Sequence, residues 1–163
     1  MTTRNATLQD LPAIVAIYNT TVAGRMVTAD LEPVTVESRI PWFEQHTPLR
    51  RPLWVVEDEN KKIIAWMSFQ DFYGRAAYNA TAEVSIYIDP TQRGKGLGKI
   101  LLQYCMDQAP SYGIHNILGI IFAHNEPSIR LFNNMGFSEW GTLENIAVLD
   151  GIERSVVIMG KRV

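Results

Sequence analysis

Residues 81–102 read TAEVSIYIDPTQRGKGLGKILL. An alternating apolar run is stopped by Asp89-Pro90, a basic cluster with glycines at 94, 96 and 98 follows, and an apolar pattern at helical spacing begins at Leu97. A strand, a glycine-rich turn and a helix in that order place a row of backbone N–H groups at the positive end of a helix, which suits a pyrophosphate. Glycine lets the backbone approach phosphate oxygens with no Cβ in the way. Arg93, Lys95 and Lys99 add cations for charge-assisted contacts. A nucleotide P-loop is disfavoured, because Gly94-Lys95 is followed by Gly96 rather than Ser or Thr. A dinucleotide loop is disfavoured too, since the third glycine comes one residue early for G-x-G-x-x-G. On spacing alone, a plain glycine-rich turn entering a helix stays open.

Outward from this unit, the bulk numbers frame what can bind. The 163 residues, 47% hydrophobic and 20% charged, fit one domain over 1–163 with a single core. A net charge of −2 gives no electrostatic case for nucleic acid or an anionic membrane, and the basic character is local to the glycine cluster. The lone Cys105 excludes an intramolecular disulfide framework and a CxxC metal pair. It reads as a packed small hydrophobe rather than a nucleophile. His46, His115 and His124 are scattered without ligand spacing, so no metal is expected. The N-terminus MTTRNATLQDL has no apolar h-region and no run reaches transmembrane length, so the expected location is the cytoplasm.

The flanks supply the remaining elements. Residues 3–6 read as a short strand, and Asp10 caps a helix whose Leu11, Ile14, Val15, Ile17 and Tyr18 share one face. Residues 24–33 break the periodicity, and 36–46 form a second helix anchored by Ile40, Trp42 and Phe43 and bent at Pro41. Strands follow at 54–57, 63–69 and 80–88, with a loop at 70–79. Helix 96–109 puts Leu97, Ile100, Leu101, Tyr104 and Cys105 on one stripe. The near-continuous apolar run 115–122 marks a central strand covered on both faces. Helix 126–135 ends at Gly136, a left-handed cap position, and strands 137–147 and 152–160 are joined by Asp150-Gly151. The result is an α/β order, β-α-α-β-β-β-α-β-α-β-β.

That order, together with Gln92-Arg93-Gly94-Lys95-Gly96-Leu97-Gly98, resembles the GCN5-related N-acetyltransferases (GNAT), whose acyl-CoA signature is Q/R-x-x-G-x-G/A. Asn125-x-x-Ser128 and Leu131-Phe132-x-x-x-Gly136-Phe137 resemble the family's later motif. Ile17-Tyr18-Asn19, Arg75-Ala76-Ala77-Tyr78, Thr81-Ala82-Glu83, Pro127-Ser128-Ile129-Arg130-Leu131 and Gly141-Thr142-Leu143 are similar to the phosphinothricin and methionine sulfoximine acetyltransferases. The resemblance implies a GNAT fold: a mixed, mostly antiparallel central sheet with helices on both faces, splayed at the strand that binds acetyl-CoA.

What the resemblance implies for chemistry is specific. Ile86, Tyr87 and Ile88 would pair their backbone with the pantetheine arm as if it were a strand, with the Ile86 N–H also holding the developing oxyanion. Arg93, Gly94, Lys95, Gly96, Leu97, Gly98 and Lys99 would hold the pyrophosphate of acetyl-CoA, and Asn125 and Ser128 would meet the arm. Asn125 also has a plain role as a helix N-cap. Glu83 is the expected general base, its pKa raised by burial, taking a proton from the attacking amine. Phe132 stands where many members carry the Tyr that protonates the leaving thiolate, and no general acid is assigned. Arg75 would clamp a substrate carboxylate, with Tyr78, Ser85 and Glu83 around the acceptor and Met26, Val27, Trp42 and Phe43 walling the pocket. The implied reaction is direct acetylation of a small amino acid such as L-methionine sulfoximine or phosphinothricin, a detoxification by a homodimer joined through its Val- and Ile-rich last strands. A different amine (a protein N-terminus or a polyamine) and a non-catalytic acyl-CoA-binding module are the alternatives.

Overall fold

The computed structural model describes residues 1–163. Its elements are β1 (Thr2–Asn5), α1 (Leu11–Asn19), α2 (Val36–Glu44), β2 (Leu53–Glu57), β3 (Ile63–Asp71), β4 (Thr81–Ile88), α3 (Leu97–Gln108), β5 (Asn116–Phe122), α4 (Glu126–Asn134), β6 (Ser138–Leu149) and β7 (Ile152–Arg162). They form one seven-stranded sheet in the order β1-β2-β3-β4-β5-β7-β6. All pairings are antiparallel except β4–β5. No helix is long and apolar enough to cross a membrane.

The sheet is covered on two faces by two separate cores. On one face Leu11, Ile14, Val15 and Ile17 of α1 pack on Leu53, Val55 and Trp66, with Ile40, Trp42 and Phe43 of α2 closing the layer. On the other, Leu101, Leu102 and Cys105 of α3, Phe132 of α4 and Met135 just after it pack on Met67, Phe69 and Val84. Full burial of each such Leu is worth about 1.5–3 kcal/mol, so these two stripes fix which way each helix faces. Caps and turns act as the sequence signals. Gly136 closes α4 at φ 81°, and Asp150 and Gly151 both adopt positive φ (52° and 79°) in the β6–β7 turn.

The decisive feature is the seam between β4 and β5. Their parallel pairing runs from Thr81–Asn116 to Glu83–Leu118 and stops, although both strands continue. β4 stays in register with β3 as far as Ile88, opposite Ala65, so β4 turns away from β5 beyond Glu83 and a slot opens within the sheet. This corrects one expectation: β5 is not covered along its whole length, because Ile120 is 38% exposed and faces that slot.

Alternation decides which backbone groups face the slot. Phe69 donates to Pro52, away from β4, and Asp89 donates to Ile64 across β3. Antiparallel partners alternate between facing and opposing, so beyond the last β4–β5 pair Ile86 and Ile88 aim their N–H and C=O toward the slot, while Ser85 and Tyr87 aim theirs at β3. The expectation that Tyr87 supplies backbone bonds to a ligand is therefore corrected: β3 takes them.

Candidate active site

Two cavities meet at β4. The larger, of about 830 Å³, lies along the slot and runs to the glycine turn. The smaller, of about 260 Å³, lies on the α1–α2 face. Glu83, Ser85 and Tyr87 line both. They do so because alternate residues of a strand share a face, and that face carries Trp66, Ser68 and Gln70 of β3 directly opposite.

The larger cavity has the build of a pyrophosphate site at its outer end. Gly94 (φ 74°) and Gly96 (φ 78°) sit in the left-handed region, and a Cβ on either would meet nothing within 4 Å. The open side of the turn thus stays clear for a ligand. Gly96 caps α3 with no side chain, so no side chain takes the N–H groups of Leu97 and Gly98 at the start of the helix. Arg93, Gly94, Gly96, Leu97, Gly98 and Lys99 all line this cavity. Lys95 does not: it is exposed and donates to Gln92 at 3.1 Å. Asn125, 5% exposed, and Ser128 line the far end, and the Asn125 side chain accepts from the Ser128 N–H at 3.3 Å. Met26 and Val27 close the cavity from the α1–α2 connection.

Glu83 is half-buried, opposite Gln70, and takes no hydrogen bond from any protein group. Burial alone pushes its carboxyl above the ordinary range. A bare, proton-hungry carboxylate in the wall between two cavities can accept a proton from a group lying in either. Tyr87 stacks on Trp66 with ring centroids 4.4 Å apart, and burial raises its phenol so that it keeps its proton. It is the one tyrosine lining the larger cavity. Phe132 is buried against Phe137 and lies over Gly119, where a Cβ would come within 2.4 Å of the ring. No hydroxyl stands at that position. Tyr104 packs edge-on to Trp54 at 5.5 Å and lines neither cavity.

The acceptor side departs from the sequence pattern. Arg75 and Tyr78 are exposed and line neither cavity, so within the chain Arg75 has no acceptor cavity to clamp into. Trp42 lines the smaller cavity and Phe43 lines neither. The cation facing the smaller cavity is Arg39, on α2, which the sequence reading missed. Its signal was present. Arg39 precedes Trp42 by three residues on one helix and so shares the stripe that turns inward.

Two cavities joined at one carboxylate, with a glycine-rich helix start at the outer end of the larger, define a group-transfer site. Comparison with known proteins agrees. Residues 13–137 match the profile of the Acetyltransferase (GNAT) family, and the chain belongs to that family. It is 55% identical over 161 residues to YwnH of Bacillus subtilis (strain 168), a protein whose name assigns it provisionally to phosphinothricin acetylation; the match covers 99% of this chain and 98% of that one. It is 32% identical over 143 residues to the L-methionine sulfoximine/L-methionine sulfone acetyltransferase of Pseudomonas aeruginosa, covering 88% of this chain and 83% of that one. The crystal structure of a phosphinothricin acetyltransferase from Sinorhizobium meliloti, in complex with acetyl-CoA, superposes with a TM-score of 0.92 at 28% identity, over 99% of this chain and 88% of that one.

Proposed function

We propose that this protein transfers acetyl from acetyl-CoA to the amino group of a small free amino acid such as L-methionine sulfoximine or phosphinothricin, directly and with Glu83 as general base. The observation that carries the reading is the position of Glu83, a carboxylate with no protein partner where the two cavities meet. Acetyl-CoA fits the larger cavity by the donors present. Unpaired N–H groups at the start of α3, with Arg93 and Lys99, suit its pyrophosphate, and the slot-facing backbone of Ile86 and Ile88 suits its pantetheine amides.

The chain's own groups then divide the work. Glu83 removes a proton from the ammonium of the acceptor, directly or through one water, so that the nitrogen lone pair is free to attack. The Ile86 N–H donates to the carbonyl oxygen on which charge develops. Holding amine and carbonyl in line across the shared wall supplies much of the rate. No tyrosine at 132 protonates the departing thiolate. A thiol pKa of about 8.5 lets it leave as the anion.

The test is release of coenzyme A, followed with a thiol reagent, on mixing purified protein, acetyl-CoA and L-methionine sulfoximine. Saturable release supports the reading; release no faster than without acceptor overturns it. The same reading makes the protein a homodimer joined through the β6–β7 hairpin, where Trp140, Leu143, Ile146 and Val148 stay exposed. Light scattering at the monomer mass would refute that assembly.

A further inference from the structure

The smaller cavity is lined by two oppositely charged side chains, Glu83 and Arg39, and is otherwise largely apolar and aromatic. The guanidinium of Arg39 is held in a fixed plane. Its Cζ lies 4.6 Å from the centroid of the Tyr18 ring and 5.8 Å from that of Trp42. One edge donates to Asp30 at 2.8 Å. Asp30 is itself anchored by the Tyr18 hydroxyl, which donates to it and is hydrogen-bonded to Thr28.

A guanidinium carries five N–H donors, and Arg39 makes no other hydrogen bond within the protein. Its side chain is only 23% exposed, and it borders the cavity rather than the open surface. An exposed ion pair with Asp30 would contribute little to stability, and stability alone does not call for seating the pair on two aromatic faces at a cavity wall. A preoriented fork with donors to spare is suited to a planar carboxylate.

Resting on the reading given under Proposed function, we infer that Arg39 binds the α-carboxylate of the acceptor, so that the enzyme selects free amino acids over amines and peptide N-termini. The charges of an α-amino acid match the cavity: its ammonium faces Glu83 and its carboxylate faces Arg39. A polyamine would set an ammonium against the guanidinium. A peptide N-terminus offers a neutral amide where the anion should be. Asp30 keeps the fork in place without consuming it.

The experiment compares L-methionine sulfone with 3-(methylsulfonyl)propan-1-amine, the same molecule without its carboxylate, on the wild type and on Arg39→Ala and Arg39→Lys. The wild type should favour the amino acid by at least tenfold in kcat/KM. Arg39→Ala should raise KM for the amino acid by about 10- to 100-fold, the worth of a charge-assisted bidentate contact. KM for acetyl-CoA should not move, kcat/KM for the amine should fall far less than that for the amino acid, and Arg39→Lys should restore part of the preference. The amine rate shows whether each variant is folded and able to transfer acetyl. Equal losses on both acceptors, or an unchanged preference in Arg39→Ala, overturn the assignment, as does a selective loss in Arg75→Ala with none in Arg39→Ala. A wild type that acetylates neither compound nor L-methionine sulfoximine overturns the functional reading itself, and the role of Arg39 falls with it.

Discussion

Asp10 and Glu83 are both carboxylates against the sheet, and the fold treats them in opposite ways. Asp10, just ahead of α1, accepts both arms of the Arg4 guanidinium at 2.7 and 2.9 Å and the backbone N–H and hydroxyl of Thr7 at 2.7 and 2.9 Å. These donors pull its pKa down to about 2, with Arg4 the largest cause. Arg4 also reaches Glu57 at 2.8 Å, which ties the start of the chain to β2. Glu83 has burial without donors, and its pKa moves the other way. The same functional group is thus a fastening in one corner and, on the proposed reading, the base in the other. The difference lies mainly in the donors that point at it, the charged Arg4 guanidinium foremost for Asp10 and none for Glu83.

Removing each carboxylate should separate the two roles. The largest effect is expected for Glu83→Gln, which keeps shape and loses basicity: kcat should fall by about 10²- to 10⁴-fold. The dissociation constant for acetyl-CoA, read by calorimetry, should stay nearly the same. Full turnover in that variant would end the assignment of the base. Asp10→Asn should do the reverse, lowering stability to urea by about 1–2 kcal/mol, a figure discounted for the partial exposure of Arg4, with kcat untouched.

Acidity sharpens the contrast. Asp10 has a depressed folded pKa, so its contribution to stability is present above the unfolded value near 4 and is lost as pH falls toward about 2. The loss in Asp10→Asn should therefore shrink over that window. Glu83 has a raised folded pKa, so it favours the fold when protonated and that benefit is lost as pH rises through its folded value. Two outcomes follow. The acid limb of kcat/KM should lie above an ordinary Glu pKa of about 4.3. The smallest expected effect is a modest rise in Tm for Glu83→Gln at neutral pH, vanishing in acid; a drop in Tm at neutral pH would mean that Glu83 has a partner after all.

Element types and order were legible because periodicity and punctuation are local. Asp89-Pro90 ends β4, Gly136 ends α4, and Asp150-Gly151 turns β6 into β7. The glycine turn was equally open to reading, since positive φ at 94 and 96 is a property of a few residues. What escaped depends on how distant segments meet. Ile120 belongs to an apolar run like any buried strand, and only the departure of β4 uncovers it. Lys95 and Lys99 look alike in the chain, yet one turns to Gln92 and the other to the cavity. Arg39 sits on a helix with no fully buried residue, and the cavity it faces exists only because α2 packs beside β3 and β4. Tyr87, like Arg39 at its helical spacing from Trp42, was a miss that local rules could have prevented, because three consecutive strand residues cannot all face the same neighbour.

The short seam between β4 and β5 has a thermodynamic consequence. Only three register pairs join the four-stranded part β1-β2-β3-β4 to the three-stranded part β5-β7-β6. Among the ladders of the sheet this one has the fewest pairs, so the two parts are held together largely by the side-chain core that spans them, in which Met67 and Val84 cluster with Ile117, Ile121 and Val157. A strand-like molecule filling the slot would bridge the two parts and raise the apparent stability in proportion to the logarithm of its concentration. Melting behaviour and occupancy of the slot would then be two readings of one equilibrium.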